Sequence, residues 1–408
     1  MSYYIDVIKS KIGSPAFNAI YVSLLGLING IAVIFIITKL YDVSFQSDYY
    51  LATSLASWSV ILDFGLSQTL LYISHDSAKR DRIKLGVLWY ACAACIFGML
   101  LFVSYFFFAG NISIQLFSYL ALFLLNSVIS MFVSYIRAYK GESFYWRFRA
   151  LEFSAYSASI IIFLSFGMGM YAMIVSISIS LILNVYVIAF NFNIPYAINY
   201  SSSFKNWISF IRPTQLKIGV EYISSLIGMK AVLPLVSNSM GMLEVGQLGL
   251  AITLFSIPLS MSMAVFSTKL NFLVKSYMSN DGGSWMKIFS RAIFTVFLFF
   301  LIGSLIILLL IKSNIMKVAG IDLDVRLPTY GNCVFIFISN AVMLLLVFFS
   351  SWLRISKKDT GWQFILVFSA TQSIFFYFFE NVGISLLFSL IFLIVFSLSS
   401  VFFMKKYW

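Results

Sequence analysis

From end to end the chain alternates apolar runs of membrane-crossing length with short polar connections. A helix needs about 20 predominantly apolar residues to cross a bilayer. Runs of that length are expected at 17–39, 48–73, 85–109, 114–136, 150–169, 170–192, 215–237, 246–269, 289–311, 329–353, 362–379 and 384–404. Over the 408 residues, 61% are hydrophobic and 10% charged. That balance excludes an ordinary soluble domain, disorder and collagen. The expected class is an all-α polytopic membrane protein with about 12 transmembrane helices.

Charge placement tests the map. The chain has 27 Lys+Arg against 15 Asp+Glu, a net charge of +12. With the N-terminus cytoplasmic, 22 of these cations fall in cytoplasmic segments and only Lys39, Lys312, Lys317 and Arg326 fall outside. Lys230 remains within a span. Such a bias is the positive-inside rule, and dropping one span would invert every later loop. Twelve spans with the N- and C-termini cytoplasmic follow. The positive balance then reflects anionic lipid and not nucleic acid. Lys9 and Lys11 followed by an apolar stretch outline a signal peptide. That stretch is too long for one and lacks a small-residue cleavage site, so an uncleaved first helix is expected.

No connection is long enough for an extramembrane domain. The longest, at mid-chain, carries Phe204, Trp207, Ile208 and Ile211 at i, i+3, i+4, i+7, as an interfacial helix would. The expected organisation is an N-terminal six-helix lobe at 1–200, a cytoplasmic linker at 201–214 and a C-terminal six-helix lobe at 215–408. An internal repeat agrees. Leu51-Ala52-Thr53-Ser54-Leu55 recurs as Leu250-Ala251-Ile252-Thr253-Leu254, an offset of 199, after the polar approaches Phe45-Gln46-Ser47 and Val245-Gly246-Gln247. Six spans per half is even, so the halves insert in the same orientation, as parallel repeats do.

Soluble-enzyme signatures are absent: neither a phosphate-binding G-x-x-x-x-G-K-[ST] nor a G-x-S-x-G elbow occurs. His75 is the single histidine, so a multi-histidine metal site is excluded. Cys92 and Cys95 form C-x-x-C inside an apolar run, where inert core thiols are expected and an exposed thiolate is not. Cys333 also lies in an apolar run. No ATP motor, cofactor or enzymatic activity is expected.

Ionisable residues within spans carry the functional information, because each costs about 2.5–3.5 kcal/mol at mid-membrane. Asp63 lies deep in the second span, in Leu62-Asp63-Phe64-Gly65-Leu66, and Lys230 deep in the seventh, four residues before Pro234. Both are candidate functional charges. Glu221 stands i+4 from Lys217, and Glu152 i+3 from Arg149. These read as ion pairs at the cytoplasmic ends, or as cavity charges. Lys39 at the outer end of the first span is either an interfacial snorkel or a substrate contact.

The stretch from Tyr49 through Leu51-Ala52-Thr53-Ser54-Leu55 to Leu62-Asp63-Phe64-Gly65-Leu66-Ser67, and the stretch from Val245 to Ala251 followed by Ile257-Pro258, resemble the second and eighth helices of polysaccharide-precursor flippases. With twelve spans and short loops, the chain resembles the O-antigen (Wzx-type) flippases of the MOP exporter superfamily. The resemblance implies two MATE-like six-helix lobes around a central cavity in a bacterial inner membrane. It implies an undecaprenyl-diphosphate-linked oligosaccharide as cargo for lipopolysaccharide or other polysaccharide biosynthesis, and alternating access with H+ or Na+ coupling. Membrane lipids, and the polysaccharide polymerase with its chain-length machinery, would be partners. Lys230, with Lys39, would meet the diphosphate, and Asp63 would take part in coupling. A MATE-type multidrug exporter, a flippase for another lipid-linked glycan and a membrane-embedded transferase are the alternatives.

Overall fold

A computed structural model describes residues 15–67, 70, 86–100, 103, 113–191, 215–216, 219–220, 233, 241–278, 284–313, 323–355, 361–379 and 381–406. The described residues are helical, joined by short turns. The helices are α1 (Pro15–Leu40), α2 (Val43–Ser57), α3 (Val60–Asp63), α4 (Gly86–Leu100), α5 (Ile114–Lys140), α6 (Glu142–Ser165), α7 (Met170–Asn191), α8 (Met242–Met278), α9 (Ser284–Lys312), α10 (Leu323–Arg326), α11 (Tyr330–Ile355), α12 (Gly361–Phe379) and α13 (Val382–Lys406). Six of them are long and apolar enough to cross a membrane.

Polarity within the helices is arranged for lipid. On α9, Phe294, Leu298, Ile302, Leu305 and Leu309 are among the exposed side chains and form one stripe of large apolar groups. On α7, Ile182, Tyr186 and Phe190 are exposed, whereas Ser176, Ser180 and Asn184, spaced i, i+4, i+8, are buried. Water would reverse that pattern. Hydrocarbon favours it, because small polar side chains then find partners inside the bundle. The chain is a multi-pass membrane protein.

The chain forms two compact units, Met1–Ile36 with Leu55–Ile223, and Ile37–Ser54 with Ser224–Trp408. In the first, Leu62, Leu66, Val87, Ala91, Leu124 and Val128 build a core from α3, α4 and α5. Val133, Ile136, Phe148 and Val187 join α5, α6 and α7. In the second, Phe266, Phe289, Phe300 and Phe348 join α8, α9 and α11, and Met343, Ile365, Phe368 and Leu386 join α11, α12 and α13.

The boundary expected between the spans 150–169 and 170–192 falls where α6 ends at Ser165 and α7 starts at Met170, with Gly167 at φ 77° and Gly169 at φ 58°. Left-handed backbone of this kind costs glycine least. Two sequence expectations need correction. The second span is not one continuous helix: it stops at Ser57 and again at Asp63, where Phe64 takes φ 40° and Gly65 φ 72°. Cys92 is not a core thiol but exposed on α4. The proposed linker helix at 201–214 and His75 lie outside the described residues.

Candidate functional site

In the second unit, the two sequence repeats pack on each other. A Cβ placed on Gly246 would lie 2.6 Å from Ser47 Oγ, and one on Gly249 would overlap Cβ of Tyr50. Ser47 and Gly246 are equivalent in the repeat, as are Tyr50 and Gly249, each pair 199 apart. Two large side chains cannot share so close a contact; glycine on one member of each pair lets α2 and α8 approach closely.

Beside this contact is a cavity of about 160 Å³, lined by Tyr49, Tyr50, Thr53, Ser54, Leu233, Gly249, Ile252, Thr253 and Ser256. Among the described residues, no charged side chain lines it. Thr53 donates its hydroxyl hydrogen to the Tyr50 carbonyl (3.1 Å), Thr253 to Gly249 (2.8 Å) and Ser256 to Thr253 (2.8 Å). The Tyr50 hydroxyl is buried, with no hydrogen-bond partner among the described residues. Sequence reasoning missed this cavity, although both repeat segments that form it were visible.

One end of the α2–α8 contact is tied down. Gln46, fully buried, donates from Nε2 to the carbonyls of Gly246 (3.0 Å) and Arg326 (3.3 Å). Arg326 in α10 returns its guanidinium to Gln46 Oε1 and to the Tyr41 carbonyl, both at 3.0 Å. Asp42 caps α2, accepting from the Phe45 N–H at 2.9 Å. That bond, more than the Arg326 charge, holds its carboxyl below the usual carboxylate range.

Asp63 sits at the second helix break of the first unit. Its Oδ1 accepts from the Ser67 N–H (3.1 Å) and the Ser67 hydroxyl (2.7 Å), so the carboxylate caps the turn beyond the break. Tyr90 on α4 donates to the Asp63 carbonyl (3.4 Å). Phe64, in a conformation that costs a bulky residue about 1–3 kcal/mol, places its ring against Gly219, where a Cβ would come within 2.6 Å.

Arg149 and Glu152 pair as their spacing anticipated, but Glu152 is not a solvated helix-end group. It is buried on α6 and accepts from Ser180 Oγ and from Asn184 Nδ2 (2.7 Å), both on α7. Asn184 Nδ2 also reaches Asn126 Oδ1 on α5 (3.0 Å), and Asn126 Nδ2 reaches Ser180 Oγ (3.3 Å). One carboxylate thereby ties three helices together. Arg149 and Arg137 share the Tyr145 ring, with guanidinium carbons 5.3 and 4.3 Å from its centre. Lys39 is exposed in the last turn of α1, where a cation suits the helix dipole. Lys230 and Glu221 lie outside the described residues.

No family model matches the chain, and no curated protein matches it in sequence. Solved structures do match in fold. The lipid II flippase MurJ, in its inward closed conformation, superposes with a TM-score of 0.65 at 16% identity, over 93% of this chain and 87% of that one. The MATE multidrug transporter DinF-BH gives 0.62 at 14%, over 96% and 95%. An inward-facing multidrug resistance MATE transporter of the MOP superfamily gives 0.57 at 15%, over 94% and 92%. The chain has the fold shared by these transporters.

Proposed function

We propose that the protein is a flippase that carries undecaprenyl-diphosphate-linked O-antigen or related polysaccharide repeat units from the cytoplasmic to the outer leaflet of a bacterial inner membrane. The observation that carries this reading is the fold shared with MurJ along nearly the whole chain. The expected lobes at 1–200 and 215–408, joined by 201–214, alternate access between the two faces, and twelve spans leave both termini cytoplasmic.

The cargo sets the physical problem. A diphosphate and a sugar chain cannot enter hydrocarbon unaided, because charge and hydroxyls would lose their hydration. Lys230, with Lys39, supplies point charges for the diphosphate. Asp63 caps a broken helix, so gaining a proton would turn the two charge-assisted bonds from Ser67 into weaker neutral ones. A carboxylate in that position can convert ion binding into a change of helix shape, which is how H+ or Na+ coupling would act here. Glu221 completes the set of in-span charges. Arg149 and Glu152 are assigned to the scaffold.

The test is deletion of the gene in its native host. Complete lipid-linked repeat units should accumulate, accessible only from the cytoplasmic face, and be cleared by the wild type but not by Lys230→Ala. Clearance by Lys230→Ala removes that residue's role. Normal surface glycan with no trapped intermediate overturns the flippase, and drug sensitivity in the same strain would point to an exporter of small molecules.

A further inference from the structure

We propose that the cavity between α2 and α8 is a subsite for one uncharged sugar residue, held chiefly by acceptor oxygens, and that it prefers such a residue to phosphate. This rests on the flippase reading and locates part of its cargo. A serine or threonine hydroxyl has one hydrogen to give and two lone pairs to receive. At Thr53, Thr253 and Ser256 the hydrogen is already given to a carbonyl of the same helix. What these three residues offer a ligand is acceptor oxygen, while the lining Tyr50 hydroxyl, with no partner among the described residues, still has a hydrogen to give. The matching ligand presents hydroxyl or amide hydrogens, as sugars and N-acetyl sugars do.

Other occupants fit less well. A diphosphate is all acceptor and calls for arginine or lysine, and among the described residues neither lines the cavity. An organic cation calls for a carboxylate, and none of the described lining residues carries one. A monatomic cation could use acceptor oxygens, but the volume of about 160 Å³ is several times that of a water, about 30 Å³. A coordinating shell must close to roughly 2.3–2.6 Å even for calcium. The walls mix hydroxyls with Tyr49, Leu233 and Ile252, which suit the C–H face of a sugar ring. The place is also apt. The cavity is built from positions 199 apart in the sequence repeat, Thr53 with Ile252 and Ser54 with Thr253, beside the close contact of α2 and α8.

The purified full-length protein in lipid nanodiscs can be titrated with methyl N-acetylglucosaminide and methyl glucoside as uncharged probes, and with sodium diphosphate. Saturable glycoside binding is expected. Thr53→Val and Thr253→Val, which keep shape and remove the acceptor, should each weaken it about 2- to 10-fold, as one hydrogen bond does. They should leave diphosphate binding unchanged. Glycoside binding that is absent, or indifferent to both substitutions, overturns the subsite. So does a signal that follows sodium and not sugar. The two readings fail separately. Threonine-dependent glycoside binding without trapped intermediates in the deletion strain sinks the flippase and keeps the subsite; trapped intermediates with no such binding do the reverse. Elution of each variant as the wild type on size exclusion separates lost binding from lost folding.

Discussion

Replacing Glu152 by Gln separates two accounts of what holds α5, α6 and α7 together. Glu152 accepts hydrogen bonds from Ser180 and Asn184 across the helix interface and pairs with Arg149 on its own helix. Interhelical hydrogen bonds in membranes are worth about 0.6 kcal/mol each. Two of them contribute roughly 1 kcal/mol, and since both end on Glu152 Oε1 a glutamine could keep both through its carbonyl oxygen. Removing one partner of a buried ion pair costs about 3–5 kcal/mol, because the other charge is stranded. Arg149 keeps 21% of its side chain exposed and can partly retreat toward polar surroundings. The lower end, about 3 kcal/mol, is therefore expected. The charge outweighs the hydrogen bonds, so Glu152→Gln should destabilise nearly as much as Glu152→Ala. The double variant Arg149→Met, Glu152→Gln should recover most of the loss. Unfolding in mixed micelles with a denaturing detergent, followed by tryptophan fluorescence, measures all three. If Glu152→Gln matches the wild type while Glu152→Ala does not, neutral hydrogen bonding carries the network and the argument from stranded charge is wrong.

Two other outcomes follow. Gly249→Ala places a Cβ on Tyr50 and should cost about 1–3 kcal/mol by overpacking, despite alanine's better helix propensity. Gly331→Ala meets nothing within 4 Å and should be neutral or stabilising in the same unfolding assay, so equal effects would refute the close approach of α2 and α8. The carboxyl of Asp42 has a folded pKa below its unfolded value of about 3.9. Its contribution is therefore present above that value and is lost as pH falls through the depressed one. Asn is as good a helix cap as Asp. Asp42→Asn should thus leave stability at neutral pH nearly unchanged and flatten its decline in acid; an unchanged acid limb would remove Asp42 from that decline.

What was legible in the sequence follows from what the bilayer demands. Length and hydropathy located the helices because each must bury about 20 apolar residues. The end of α6 was visible because Gly167 and Gly169 can adopt a left-handed backbone. Hydropathy is blind to the break after Asp63, since Phe64, Gly65 and Leu66 are as apolar as the helix they interrupt. The signal was there in another form, a capping residue beside a glycine. The network around Glu152 was half legible. Spacing along α6 gave Arg149, whereas Ser180, Asn184 and Asn126 depend on which faces of α6, α7 and α5 meet. The polar stripe at Ser176, Ser180 and Asn184 in an otherwise apolar helix was the readable trace.

The repeat shows why a feature could be seen in sequence while its packing stayed unread. Two similar five-residue segments at an offset of 199 are thin as sequence, and their value came from agreement with the topology. Packing gives them a physical reason. Where α2 and α8 approach this closely, the two members of a pair cannot both be bulky. Ser47 against Gly246 and Tyr50 against Gly249 satisfy that condition with a glycine on one side each time. Divergence of the two copies at these positions is thus required for contact, and the same divergence lowers the identity by which the repeat would be detected. Positions a step away, Thr53 with Ile252 and Ser54 with Thr253, are spared the steric conflict and open into the cavity. The close contact that the glycines permit thus sits directly beside the room left for a ligand.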